Sequence, residues 1–150
     1  MAVTALMRLR VLARAPLGNA SSFGVSVRRM CQSAWAPGTV VMDIEPEQFK
    51  THVLEELKVP VLLQAHATWC APCRKFTPVL EEAVLAHQGR IKLARLDVDK
   101  AMEIARSLDV STVPAVFLFH KGEKKGGFVG SMDTGGTTNY IEDAIRMCSK

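Results

Sequence analysis

Val61-Leu62-Leu63-Gln64-Ala65-His66-Ala67 runs through Thr68 into Trp69-Cys70-Ala71-Pro72-Cys73. An apolar strand signal leads straight into a Cys-x-x-Cys, and a helix pattern begins inside the motif. A helix starting at Ala71 or Pro72 puts Cys70 at its amino end, where unpaired backbone N–H groups and the helix dipole favour an anion. A thiol held there loses its proton more readily and becomes a nucleophile near neutral pH. Cys73 falls on the same face of the first turn, close enough to form a disulfide with Cys70. Pro72 suits that turn because its missing N–H would have had no partner. The stretch reads as a reversible dithiol/disulfide centre. Half of a structural zinc site is the competing reading. Zinc takes four ligands, and the chain offers no second Cys-x-x-Cys and no paired His spacing, with His52, His66, His87 and His120 scattered.

Outside the motif, helical and alternating patterns take turns. Val40-Val41-Met42 is a short strand signal, and Asp43 and Pro46 introduce a helix carrying Phe49, Val53 and Leu57. Val61 to Ala67 is apolar on both faces apart from Gln64 and His66, as in a strand covered by helices. The motif helix runs through Phe76, Leu80, Ala83 and Val84 to Gln88-Gly89, with Pro78 inside it expected to kink it. Ile91 to Val98 is the next strand, and Asp99 reads as the N-cap of a helix with Ala101, Ile104, Ala105 and Leu108. This alternation implies parallel pairing through crossovers. After Pro114 it changes to a hairpin: strand Ala115 to Phe119, turn His120 to Gly127, and a strand from Phe128-Val129. A loop, Thr134-Gly135-Gly136-Thr137, precedes a closing helix capped by Thr137 or Thr138 and running to Cys148.

With these elements in place, the chain from about Val40 onward resembles the thioredoxin family. Trp69-Cys70-Ala71-Pro72-Cys73 matches the family's Trp-Cys-x-Pro-Cys, with Ala71 where Gly is usual. Thr112-Val113-Pro114 resembles its cis-proline segment, and Phe128-Val129-Gly130 its glycine turn. The resemblance implies an α/β thioredoxin fold, a central mixed β-sheet flanked by helices on both faces. It implies a protein-disulfide reductase with Cys70 as attacking thiolate and Cys73 as resolving thiol. Trp69, Pro72, Val113, Pro114 and Gly130 are then expected to contact the client polypeptide. Pro114 is expected against the cysteine pair, leaving the Val113 backbone open to an added strand, with Gly130 allowing close approach. Ala71 is expected to modulate the potential. No bound cofactor is implied, since the redox work belongs to the Cys70–Cys73 disulfide. The implied partners are an NADPH-dependent thioredoxin reductase and disulfide-bearing clients such as peroxiredoxins; nothing in the chain itself reads as a nucleotide-binding loop.

Gln64 and Arg95 depart from the family pattern. Thioredoxins usually carry a buried aspartate at the position of Gln64, working with a lysine at that of Arg95 to take the proton from the second cysteine. An amide cannot titrate, and a guanidinium does not release its proton. The expectation is slower release of the mixed disulfide than in an aspartate-bearing relative, by roughly tenfold to ten-thousandfold. His66 reads first as a hydrogen-bonded core or edge histidine, and only second as a substitute base for Cys73.

The chain has 150 residues and a formal charge of +4, enough length for one domain with its own core. That charge is unevenly spread. Residues 1–42 hold Arg8, Arg10, Arg14, Arg28 and Arg29 and no acid, leaving 14 basic and 15 acidic residues for the rest. The domain therefore shows no basic excess for nucleic acid. The first 39 residues, rich in Arg, Ala and Ser, have the composition of a mitochondrial presequence, with cleavage expected between Arg29 and Val40, and residues 40–150 are expected to form the thioredoxin-like domain. The arginines interrupt every apolar stretch long enough for a membrane span or a secretory core. The expected location is the mitochondrial matrix. Cys31 lies in the leader, and Cys148 reads as a small buried hydrophobe. A redox-switched binding module, holding partners as a long-lived mixed disulfide, is the alternative function. An oxidase or isomerase of the secretory pathway fits neither the leader nor the Ala-Pro between the cysteines.

Overall fold

A computed structural model describes residues 39–149. The expected presequence lies outside the described residues, apart from its last position. Five strands form one sheet: β1 (Val41–Ile44), β2 (Val61–His66), β3 (Lys92–Asp97), β4 (Ala115–His120) and β5 (Glu123–Val129). Their spatial order is β1-β3-β2-β4-β5. The first three run parallel, β4 is antiparallel to β2, and β5 is antiparallel to β4. This is the mixed sheet expected from the sequence. Helix α1 (Ala71–Ala86) makes the crossover between β2 and β3, and α2 (Met102–Ser107) lies between β3 and β4. Helix α3 (Thr134–Cys148) closes the chain.

The sheet separates two apolar layers. Leu62, Leu93, Val116 and Leu118 pack beneath α1 and α3, meeting Phe76, Leu80, Val84 and Ile141. Phe128 joins the two helices edge-on, its ring centroid 6.0 Å from Phe76 and 4.9 Å from Tyr140, an arrangement aromatic quadrupoles favour. The opposite face carries Val61, Leu63, Ala65, Phe117 and Phe119 against Val53, Ala101, Ile104 and Leu108. Because both faces of β2 and β4 are covered, the alternation that marks an exposed strand is absent there.

Local chemistry moves several boundaries. The helix expected after Pro46 is a 3-10 turn, Pro46–Gln48, followed by a π-helical turn, Lys50–Leu54. It ends before Leu57, which is exposed. Helix α2 starts after Ala101 with no side-chain cap, because Asp99 is used elsewhere. Helix α3 starts three residues before Thr137, since the Asp133 carboxylate accepts the Gly136 N–H at 2.9 Å and carries the helix through both glycines. The hairpin is tighter than its glycines suggest. Lys121 and Gly122 both have positive φ, +52° and +80°, and close a two-residue turn whose twist matches the strands. Glu123 to Gly127 are therefore strand rather than turn.

Gly127 sits where no side chain fits. A Cβ there would lie 2.6 Å from the Val116 carbonyl oxygen and 2.9 Å from Phe117 Cδ1. Gly127→Ala is expected to cost about 1–3 kcal/mol of stability. Urea unfolding tests this, and an unchanged midpoint would mean the β4–β5 pair shifts freely to make room.

Candidate active site

Strand β2 is central, with β3 on one side and β4 on the other, and its carboxyl end delivers the cysteines to the rim of the sheet. That end of an open α/β sheet is where such folds place their sites. Cys70 is extended (φ −77°, ψ 101°) and forms the N-cap of α1, its sulfur accepting the Cys73 N–H at 3.2 Å. The same N–H points at a thiolate on Cys70 once the disulfide is open, and Pro72 occupies the first turn as expected.

Cys70 and Cys73 form a disulfide with a Cα–Cα distance of 5.3 Å. The two residues are almost equally covered, at 3% and 2% exposure. What separates them is the helix end, which favours Cys70 as the anion. Ala67 shares their apolar pocket, and Val98 and Val113 pack against it.

Val113 thus reaches the disulfide, and the Val113–Pro114 peptide is cis. Pro114 is buried, and its carbonyl accepts the Gly130 N–H at 2.8 Å. This bond ties the proline segment to the end of β5. Gly130 has φ +95°, with nothing within 4 Å of an added Cβ. The space above it is open, and only its backbone conformation calls for glycine. Ala71 and Pro72 are exposed beside the cysteines.

Trp69 is 66% exposed, yet its indole N–H donates to Asp99 at 2.9 Å. Asp99 is a neighbour of the motif that sequence reasoning missed, because an Asp two residues before Ala101 reads as a cap. Asp99→Ala is expected to lower the fluorescence anisotropy of Trp69, read in a Trp35→Phe background, with less than about 1.5 kcal/mol lost in stability. Unchanged anisotropy would show that packing alone holds the indole.

Gln64 lies fully buried beneath α1. Its amide nitrogen donates to Thr77 Oγ1 at 2.9 Å, one turn along the helix from Cys73, and its Oε1 has no protein partner. Arg95 is Gln64's register partner on β3, as expected. Its guanidinium turns away from a relay role. Both of its donors to Asp43 are 2.6 Å from the carboxylate, and it also pairs with Glu81 on α1. Burial works against this charge, but Asp43 and Glu81 outweigh it and raise the pKa.

A cleft of about 800 Å³ opens beside Cys73, lined also by His66, Thr77, Arg95 and Asp97. Among the described residues, no group of three or more His, Cys, Asp or Glu could hold a metal ion. No helix among them is long and apolar enough to cross a membrane. His87 is buried, with Nδ1 2.7 Å from the Ala83 carbonyl, and free Cys148 is half-buried, its thiol pushed up by burial.

The family model described as Thioredoxin matches residues 40–143. The chain belongs to the thioredoxin family. A protein described as probable thioredoxin-2, from Caenorhabditis elegans, is 41% identical over 108 residues, covering 72% of this chain and 74% of that relative. The chloroplastic M-type thioredoxin of Spinacia oleracea is 33% identical over 102 residues, 68% of this chain and 56% of the relative. The bifunctional thioredoxin reductase/thioredoxin of Mycobacterium leprae is 33% identical over 106 residues, 71% of this chain and 23% of the longer protein. This chain is a thioredoxin-type thiol-disulfide oxidoreductase, with the disulfide at the end of β2 as its redox centre.

Proposed function

We infer that the chain is a thioredoxin of the mitochondrial matrix, taking electrons from an NADPH-dependent thioredoxin reductase and passing them to protein disulfides. The observation that carries the reaction is Cys70 capping α1, bonded to the N–H of its own disulfide partner. Reduced Cys70 attacks a client disulfide and forms a mixed disulfide. Cys73 then attacks the Cys70 sulfur and releases the reduced client. Trp69, Pro72, Val113, Pro114 and Gly130 are the proposed client-binding residues, and Ala71, Gln64 and Arg95 the proposed modulators of the centre. The fused relative supports a reductase as the electron source. The arginine-rich, acid-free leader supports the location, and peroxiredoxin-type enzymes are the proposed clients.

Gln64 favours a second reading. With an amide where the family keeps an acid, the mixed disulfide could persist and serve as a partner clamp switched by redox state. Turnover separates the two. Insulin reduction by the full chain, supplied with NADPH and a mitochondrial thioredoxin reductase, is expected to run for many cycles. Stalling after one cycle with a Cys70 adduct would sink the reductase reading in favour of the clamp. A fluorescent-protein fusion of residues 1–39 tests the location, and cytosolic retention would overturn it.

A further inference from the structure

The second thiol needs somewhere to put its proton, and Gln64 cannot take it. We propose that His66 accepts the proton of Cys73 through water in the cleft they share, replacing the acid that Gln64 has displaced. This deepens the reductase reading and rests on it.

His66 is two residues from Gln64 on β2, on the same face, half-buried and lining the cleft with Cys73. Water entering that cleft meets both Cys73 and His66, and the lining includes Thr77, whose Oγ1 accepts the Gln64 amide N–H. Apart from Asp97, the cleft's other carboxylates are paired with cations. Arg74, Arg95 and Lys100 are cations with no free base. Asp43 and Glu81 both pair with Arg95, and Glu45 with Lys100 at 3.1 Å. Asp97 is the register partner of His66 across β2–β3, placed to favour the imidazolium as it forms. Burial lowers the pKa of His66, helped by Arg95 and opposed by Asp97 and Asp43. The ring is therefore neutral, and able to accept, at the pH where a thiol begins to ionise.

In the step itself, the Cys73 S–H proton passes through water to His66. The Cys73 thiolate attacks Cys70 Sγ, the Cys70–Cys73 bond forms, and the Cys70–client bond breaks. The client sulfur leaves with the electron pair and recovers a proton from the imidazolium. The two electrons of the dithiol have moved to the client, and His66 ends as it began.

The test uses the full chain, reduced, with Cys31→Ser and Cys148→Ser so that only the active pair reacts. One equivalent of 5,5′-dithiobis(2-nitrobenzoate) is mixed in rapidly between pH 5.5 and 9. The first release of thionitrobenzoate reports attack by Cys70, and the second reports attack by Cys73. In the native background the second phase is expected to level off above the His66 titration. In His66→Gln it should slow about 100-fold at pH 7 and rise in proportion to hydroxide up to the thiol's own titration, while the first phase stays unchanged. Adding Gln64→Asp to His66→Gln should restore most of the rate. A native second phase proportional to hydroxide throughout overturns the role of His66, whether or not the variant folds. Equal slowing of both phases, or no slowing of the second, overturns it too. Absence of the first phase from the native background would instead overturn the Cys70 chemistry on which the inference rests.

Discussion

Cys73→Ser is expected to leave a protein that reacts once and stops. Cys70 keeps its place at the start of α1 and still accepts a backbone N–H from residue 73, so attack on a client disulfide survives. A serine hydroxyl does not open the resulting mixed disulfide, and multiple-turnover insulin reduction should fall by at least about 10³-fold. Non-reducing electrophoresis should show the client bound through Cys70. The reciprocal change, Cys70→Ser, should abolish turnover without building an adduct. Burial does not distinguish the two cysteines, so this asymmetry tests the helix end as the origin of their division of labour. An adduct on Cys73 in the Cys70→Ser protein would reverse the assignment.

Gln64→Asp is expected to act on folding more than on turnover. The variant puts a carboxyl at a fully buried position and removes the bond to Thr77. Burial raises the pKa of such a carboxyl above its unfolded value near 3.9. Between those two values the folded state binds the extra proton, so stability falls as pH rises. The deficit relative to Gln64 should therefore open above about pH 4 and reach its full extent, about 3 kcal/mol for a rise of about two units, once pH exceeds the folded pKa. Urea midpoints at pH 5 and pH 8 check the sign, and a deficit that is larger at pH 5 would contradict it. With His66 in place, release of the mixed disulfide should change less than about tenfold. An acceleration of 100-fold or more would mean that the native chain has no working base.

Much of this was readable because the deciding interactions are local. The start of α1 follows from Cys70, Pro72 and the strand before them, all within one turn of the helix. The pairing of Gln64 with Arg95 follows from the parallel register of β2 and β3. The sequence does not announce contacts between distant segments. Trp69 and Asp99 are thirty positions apart, and Arg95 gathers its acids from β1 and α1. The remaining differences come from close competitors. Asp133 outranks two threonines as a cap, and Lys121 accepts a left-handed conformation that composition assigns to glycine.

The Arg95 clamp also bears on how the domain yields to force. Strand β1 is four residues long, pairs only with β3, and holds the Asp43 end of that clamp. Tension on the chain ahead of Val40 meets this strand before any other described element. Detaching it breaks one ladder and one ion pair while β2, enclosed on both sides, keeps its neighbours. The domain therefore presents a short edge strand to whatever pulls from the amino end, while its redox centre follows a strand with neighbours on both sides.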